Sequence, residues 1–196
     1  MKQKVLILGS GGMAGHVMTL GFRAEPEKYE VFDIARSNNV IEPSKLMDVT
    51  NFDELATAID QFQPNYIINC VGLLNQFAEE NPDQAILLNS YLPHFLEAKT
   101  KGTSSKVIHI STDCVFSGEK GGYTEKDRKD GIGFYAQSKA LGELQNNKDL
   151  TIRTSIIGPE IKGKGIGLFH WFSQQTGEVG GYKKAIWTGV TVIELM

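Results

Sequence analysis

Short runs of apolar and β-branched residues recur along the chain, at KVLILG (4–9), YEVFDIA (29–35), YIINCVG (66–72), KVIHIS (106–111) and LTIRTSIIG (150–158). Between them the period changes. In NFDELATAIDQF (51–62), Phe52, Leu55, Ala56, Ile59 and Phe62 fall at helical spacing, the signature of an amphipathic helix. NPDQAILLNSYLPHFLEAKT (81–100) carries a second apolar stripe, with Pro93 inside it as a kink or a first-turn position. Strands alternating with helical segments predict βαβ crossovers and a parallel sheet covered on both faces. The expected fold is α/β, a Rossmann-like doubly wound sheet.

The glycine-rich segments 118–133 and 158–167 read as mobile loops beside that sheet. No repeat or low-complexity linker divides the chain, so the expected organisation is a nucleotide-binding domain over 1–158 and the start of a substrate-binding region over 159–196. The last segment, KKAIWTGVTVIELM, stops at Met196 in what reads as the first turn of a helix opening at 188–191. That pattern is expected of a truncated product whose substrate lobe is incomplete. Phe169, Trp171, Phe172 and Trp187 would then form exposed apolar surface that invites self-association or a partner.

Composition narrows the class. A chain of 196 residues suits one domain with a sizeable core. Apolar residues are 41%, charged residues 22% and the net charge is −3, which suggests neither disorder nor a nucleic-acid footprint. No run approaches the roughly 20 apolar residues that span a bilayer, and the N-terminal MKQKVLILGSGG reads as a first strand, not a signal peptide. Cys70 and Cys114, the two cysteines, sit in or beside apolar runs, which predicts two buried thiols and a cytoplasmic, reducing compartment. No partner base lies near Cys70 to make it a nucleophile. His16, His94, His109 and His170 lack metal-ligand spacing, so no metal site is expected.

After the first strand, GSGGMAG places Gly9, Gly12 and Gly15 at a strand-to-helix junction. Such glycines allow a tight turn, backbone approach to a pyrophosphate and close helix–strand packing. At the end of the second strand an acid would bind an adenosine ribose, and a base a 2′-phosphate. Ala35 falls at the strand tip, followed by Arg36 and Ser37, which favours NADP(H). The competing reading makes Asp33 the ribose ligand and NAD(H) the cofactor, although Asp33 falls two residues early. Asp48 is either a group at the adenine edge or the N-cap of the helix at 51. In YAQSK (135–139), Tyr135 and Lys139 are i and i+4, and so project from one helical face.

GSGGMAG, NCVG, NPDQAILLN, HISTDCVFSG, YTEKD and YAQSK, in this order and spacing, resemble the extended short-chain dehydrogenase/reductases. The resemblance is strongest to the dTDP-4-dehydrorhamnose reductase-like sugar-nucleotide reductases. It runs from residue 4 to about 158 and continues in WTGVTVIEL (187–195). It implies an NADPH-dependent reductase of a 4-keto nucleotide-linked deoxysugar, working in surface polysaccharide precursor synthesis. Tyr135 would be the acid, Lys139 would lower its pKa and bind the nicotinamide ribose, and Thr112 would hold the substrate oxygen.

The resemblance further implies a cofactor contacted by Ser10, Met13, Val49, Asn69, Cys70, Val71, Gly72 and Asn89, besides Gly9, Gly12, Gly15, Arg36, Ser37, Asp48, Tyr135 and Lys139. For Asn89, a buried helix amide tied to backbone is the alternative. Substrate contacts are implied for Ser111, Asp113, Val115, Phe116 and Trp187. The chain departs from the family pattern in two places, with Cys114 where tyrosine usually follows STD, and Ile156 in RTSI where the family usually has an aromatic. Both lie near the sugar pocket, and a relative acting on UDP-linked amino sugars fits as well. Rival readings are an epimerase or a dehydratase with a tightly held cofactor, the dehydratase disfavoured because Asp113 is the only acid expected beside the strand-end hydroxyl, and a non-catalytic regulatory subunit, favoured by the short C-terminus and opposed by the intact Thr112, Tyr135 and Lys139.

Overall fold

The structure, a computed structural model, describes residues 1–37, 41–161 and 167–196. Its centre is a parallel sheet of β1 (Gln3–Leu8), β2 (Tyr29–Ala35), β3 (Lys45–Leu46), β4 (Tyr66–Asn69), β5 (Lys106–Ile110) and β6 (Leu150–Ile152), in the order β3-β2-β1-β4-β5-β6. The expected doubly wound topology is what the chain forms. The short β3 is additional, since two residues give no hydrophobic run to detect.

Alternation of side chains along β1 divides the core in two. Leu6 and Leu8 join Leu55 and Ile59 of α2 (Phe52–Phe62) and Leu92 and Leu96 of α5 (Leu92–Lys99) on one face. Val5 and Ile7 face Met18 of α1 (Met13–Arg23) on the other. Each fully buried aliphatic side chain contributes about 1.5–3 kcal/mol of transfer free energy, so both faces must be covered. α1 and α2 do this because their apolar stripes follow the helical period.

Capping sets the helix limits. Asn51, not Asp48, caps α2, its side chain accepting from the Glu54 N–H at 3.3 Å. Asp48 instead accepts from the Thr50 N–H and hydroxyl at 3.0 and 2.8 Å, closing the turn before the cap. α2 ends at Gln63, in the left-handed region at φ 51°.

The stripe over 81–100 becomes three pieces: α4 (Pro82–Ala85), a π-helical turn over Ile86–Tyr91, and α5. Pro93 falls in the first turn of α5 and has no N–H to give the Asn89 carbonyl. The widened turn accommodates this, and Gly142 packs so close to that carbonyl that a methyl there would collide with it.

Two more helices complete the upper rim of the sheet. α3 (Asn75–Glu80) follows β4 and starts at Asn75, with φ 37°. α6 (Phe134–Leu141) follows the 118–133 segment, which is tied down by bonds from the Ser117 N–H and hydroxyl to Asp130 and from the Gly131 N–H to the Val115 carbonyl. Of the 158–167 segment, residues 162–166 lie outside the described residues.

Near the C-terminus, β7 (Ile156–Ile157) pairs in parallel with β8 (Val190–Thr191). α7 (Leu168–Ser173) buries none of its residues. α8 (Val192–Leu195) opens as the sequence predicts, capped by Thr191, whose hydroxyl accepts from the Glu194 N–H at 3.1 Å. It folds back on α1, with Leu195 on the second core cluster and Met196 against Gly21.

Candidate active site

Register builds the upper edge of the sheet. Leu8 pairs with Ile34 and with Asn69, and Asn69 with His109, so the residues after these four open onto one rim. The order β3-β2-β1-β4 reverses direction between β1 and β4, where open α/β sheets bind their ligands. The glycine loop lies there. Gly9 takes φ +86°, and a methyl on Gly15 would run into the Gly9 carbonyl, so α1 starts directly against the turn. Gly12 is the extended N-cap of α1, and the first-turn N–H groups, beginning at Met13, have no intrahelical partner. Ser10 is buried, and its N–H goes to the Ile34 carbonyl at 3.2 Å.

Arg36 and Ser37 are exposed just past the tip of β2, and the Arg36 charge helps to hold the Asp48 carboxyl below its usual range, behind the Thr50 hydrogen bonds. Asp33, by contrast, is fully buried. It is paired with Arg23 at 2.5 Å and accepts from the Ser44 N–H and hydroxyl. Asp33 therefore does not open onto the rim, which removes the observation that favoured a ribose-binding acid. Val71 packs on Gly9, Gly72 is exposed, and Val49 is buried below.

The three residues singled out for chemistry converge between β5 and α6. Thr112, almost fully buried, accepts from the Cys114 N–H at 3.1 Å, and its side chain lies near enough to the Tyr135 phenol to favour the phenolate. Loss of solvation raises Tyr135 above its ordinary value, the Thr112 side chain offsets part of this, and Cys114 and Asp113 add to the rise. Lys139 is 4% exposed and donates to the Ile110 carbonyl at 2.7 Å. Burial brings it down to about 8, against the opposing pull of Cys70 and Glu143.

Lys139 is not among the groups that act on the phenol. The helix puts both residues on one face, but Lys139 reaches under the sheet edge and spends its hydrogen bond there. Tyr135 is a protonated donor at neutral pH. It lines a cleft of about 420 Å³, together with Asn75, Glu79, Cys114, Phe116, Ser117, Glu119, Ile132 and Ala136.

Other sequence expectations change. Ser111 is buried and donates to Glu143 at 3.0 Å, bracing the ion pair of Glu143 with Arg153 and Lys129, so it does not face substrate. Val115 is fully buried and forms part of the core beneath the site. Trp187 lies against Gly189 and is not among the residues that line the cleft. Asn89 follows its alternative: its amide accepts from the Leu73 N–H at 2.8 Å and donates to the Leu73 carbonyl and the Ser138 hydroxyl, clamping the loop after β4 to α6. Cys114 is exposed, because the 3₁₀ turn over Asp113–Val115 swings it outward. The Cys70 thiol is pushed up to about 12 by burial.

Asp113 is exposed and Phe116 half-buried, stacked on Tyr123 at 4.4 Å. Asp113 is not the only acid near the phenol, since Glu79 and Glu119 line the cleft, and Glu79 also accepts from the Tyr135 N–H at 3.2 Å. Nothing in NQFAEE marks Glu79, because its partner lies 56 residues away. Among the described residues no group of acidic, histidine and cysteine side chains could hold a metal ion, and no helix is long and apolar enough to cross a membrane.

Residues 3–165 match the family model described as RmlD substrate binding domain. The chain is 32% identical over 158 residues to dTDP-4-dehydrorhamnose reductase of Aggregatibacter actinomycetemcomitans, covering 78% of this chain and 51% of the relative. It is 29% identical over 149 residues to the methionine adenosyltransferase 2 subunit beta of Rattus norvegicus, covering 74% of this chain and 44% of the relative. Among solved structures, the dTDP-4-dehydrorhamnose reductase of Bacillus anthracis in complex with NADP superposes with a TM-score of 0.70 at 28% identity, covering 80% of this chain and 55% of that one. The chain spans about half the length of the curated relatives it matches.

Proposed function

Starting from a chain that belongs to the RmlD substrate binding domain family, we propose that it carries the dinucleotide site and catalytic set of an NADPH-dependent, cytoplasmic reductase of nucleotide-linked 4-keto deoxysugars, in surface polysaccharide precursor synthesis. The observation that carries this reading is the half-buried Tyr135 phenol, near the Thr112 side chain and open to a cleft of about 420 Å³, with Lys139 one helical turn away. The dTDP-4-dehydrorhamnose reductases among its relatives, one of them in complex with NADP, support it.

The glycine loop fits a dinucleotide, because Gly15 leaves room where any side chain would meet the Gly9 carbonyl. The α1 N-terminus favours the pyrophosphate, and exposed Arg36 suits a 2′-phosphate, which favours NADP(H) over NAD(H). Bound there, the cofactor would supply the hydride. Thr112 orients the carbonyl oxygen, and Tyr135 gives its proton to the alkoxide that forms. A phenol that burial keeps protonated is a donor at every pH where the enzyme would work, and Lys139 follows it one helical turn on. The UDP-linked amino sugars are a second substrate class, since Cys114, which departs from the usual pattern, lines the cleft.

Replacing Tyr135 by phenylalanine is expected to lower turnover at least ~100-fold with NADPH affinity little changed, measured by steady-state kinetics and fluorescence titration. Unaltered turnover would sink the assignment. Titrating NADPH and NADH in parallel separates the Arg36 reading, which expects NADPH to bind more tightly, from an NAD-specific site.

A second reading, a non-catalytic regulatory subunit, is favoured by the similarity to a methionine adenosyltransferase subunit. It expects NADPH binding without turnover of any 4-keto nucleotide sugar. An epimerase or dehydratase would carry nicotinamide absorbance through purification and turn over with no cofactor added. The exposed aromatic residues of α7 favour a homo-oligomer or a partner over a lone monomer.

A further inference from the structure

Beneath Lys139 lies a buried polar chain that the reaction as described does not use. Asn69 and His109 are both fully buried and are direct neighbours across β4 and β5. The Val71 N–H donates to Asn69 Oδ1 at 3.1 Å, which fixes the orientation of the amide. Asn69 Nδ2, a donor only, then faces His109 Nδ1 at 3.1 Å. That nitrogen must accept. An imidazole so buried stays neutral, because desolvation and then the neighbouring Lys139 hold it well below its usual range. Its one proton therefore sits on Nε2, and Nε2 faces Lys139 Nζ at 3.5 Å.

An ammonium has three donors and no acceptor, so a charged Lys139 would meet the histidine N–H donor against donor. A neutral amine offers its lone pair to Nε2–H and still donates to the Ile110 carbonyl. We propose that Asn69 and His109 are positioning residues that favour the neutral, hydrogen-bond-accepting amine of Lys139, so that this lysine titrates in the mildly alkaline range and takes up a proton there when an anionic dinucleotide binds. Cys70 just past β4, His109 on β5 and Glu143 beyond α6 are the titratable groups that act on Lys139. The thiol is un-ionised below about 12, and the Glu143 carboxylate is engaged by Arg153 and Lys129, so their pull only partly offsets the burial of Lys139. The dinucleotide part of the proposal rests on the reductase reading above, whereas the tautomer and the lysine ionisation do not.

The test uses the whole chain labelled with ¹⁵N at histidine and lysine. Long-range proton–nitrogen correlation spectra should show His109 as the Nε2–H tautomer, without titration between pH 5.5 and 9 on the ordinary histidine scale, its signal assigned by loss in His109→Gln. The Lys139 Nζ signal should titrate near 8. In Asn69→Asp the new carboxylate accepts from Nδ1–H, the tautomer reverses, and Nε2 can accept from the ammonium, so the Lys139 titration should rise by at least ~1 unit. Calorimetry with NADPH near pH 8.5, in buffers of different ionisation enthalpy, should show proton uptake that falls at least twofold in Asn69→Asp. An Nδ1–H tautomer in the unaltered protein, or a His109 that titrates normally, overturns the proposal without any variant. Equal proton uptake in the two proteins overturns its coupling to the cofactor. If NADPH does not bind at all, the cofactor reading and the uptake fail, while the tautomer spectra still decide the role of Asn69 and His109.

Discussion

Cys70 and Cys114 show how little residue type says about reactivity. Both lie beside apolar runs, yet burial pushes the Cys70 thiol to about 12, with its Sγ 3.6 Å from Met18 Sδ, while Cys114 stands exposed on the cleft. Native protein at pH 8 is therefore expected to take one equivalent of iodoacetamide, at Cys114, and two when denatured. Mass spectrometry after digestion checks this, and labelling of Cys70 in the native protein would contradict the packing of β4 against α1.

Tyr135 carries a pH signature. Its folded pKa lies above the value near 10 of an unfolded chain. The stabilisation that it contributes is thus complete below about pH 10 and is lost as the pH rises through the folded value. Denaturation midpoints should fall less steeply above pH 10 in Tyr135→Phe than in the unaltered protein. Parallel curves would mean that the phenol is not shielded. At this scale the residues of STD and YAQSK were legible in the chain. The roles of Ser111 and Val115 were not, since a strand end alternates between a rim and a core and only the packing of Glu143 and Arg153 decides which side each faces.

Among the elements, the β1–α1 junction is where sequence and structure agree most closely, and where one methyl should do the most damage. Gly15→Ala drives Cβ into the Gly9 carbonyl, a backbone atom that cannot swing away. Overpacking of this kind costs about 1–3 kcal/mol, and the displaced helix start should weaken NADPH binding at least ~10-fold. Chemical denaturation and fluorescence titration measure the two effects, and a variant with native stability would refute the close approach. The 81–100 stripe teaches the opposite lesson. Its apolar period was plain, but the π-helical turn follows from Pro93 withholding a donor from the Asn89 carbonyl and from Gly142 pressing into the gap. Gly142 lies 53 residues from Asn89 in sequence.

For the molecule as a whole, the sheet is covered on both faces, but the region after β7 is not covered to the same extent. Leu168 and Phe172 of α7 are each 64% exposed, and Tyr182 and Ile186 are each 93% exposed. Apolar side chains exposed to this degree should bind a hydrophobic dye. The native protein is expected to enhance the fluorescence of an anilinonaphthalene sulfonate dye, and a Trp171→Ser, Phe172→Ser double variant to lose at least ~half of that signal with an unchanged denaturation midpoint. A dye signal equal in both would show that the aromatic side chains of α7 do not form the exposed patch.

The sequence by itself determined the α/β class, the parallel order of βαβ units, the glycine loop and the shared helical face of Tyr135 and Lys139. These follow from local periodicity and from glycine's lack of a side chain, which act within a few residues. Only the tertiary structure decided that Asp33 is closed off by Arg23 and Ser44, that Asn89 clamps Leu73 to Ser138, and that Lys139 faces His109. Each of these depends on hydrogen bonds between elements distant in sequence. A buried polar group must find such partners or lose the free energy of its hydration, and the partners are chosen by the register of the sheet and not by the pattern of the chain.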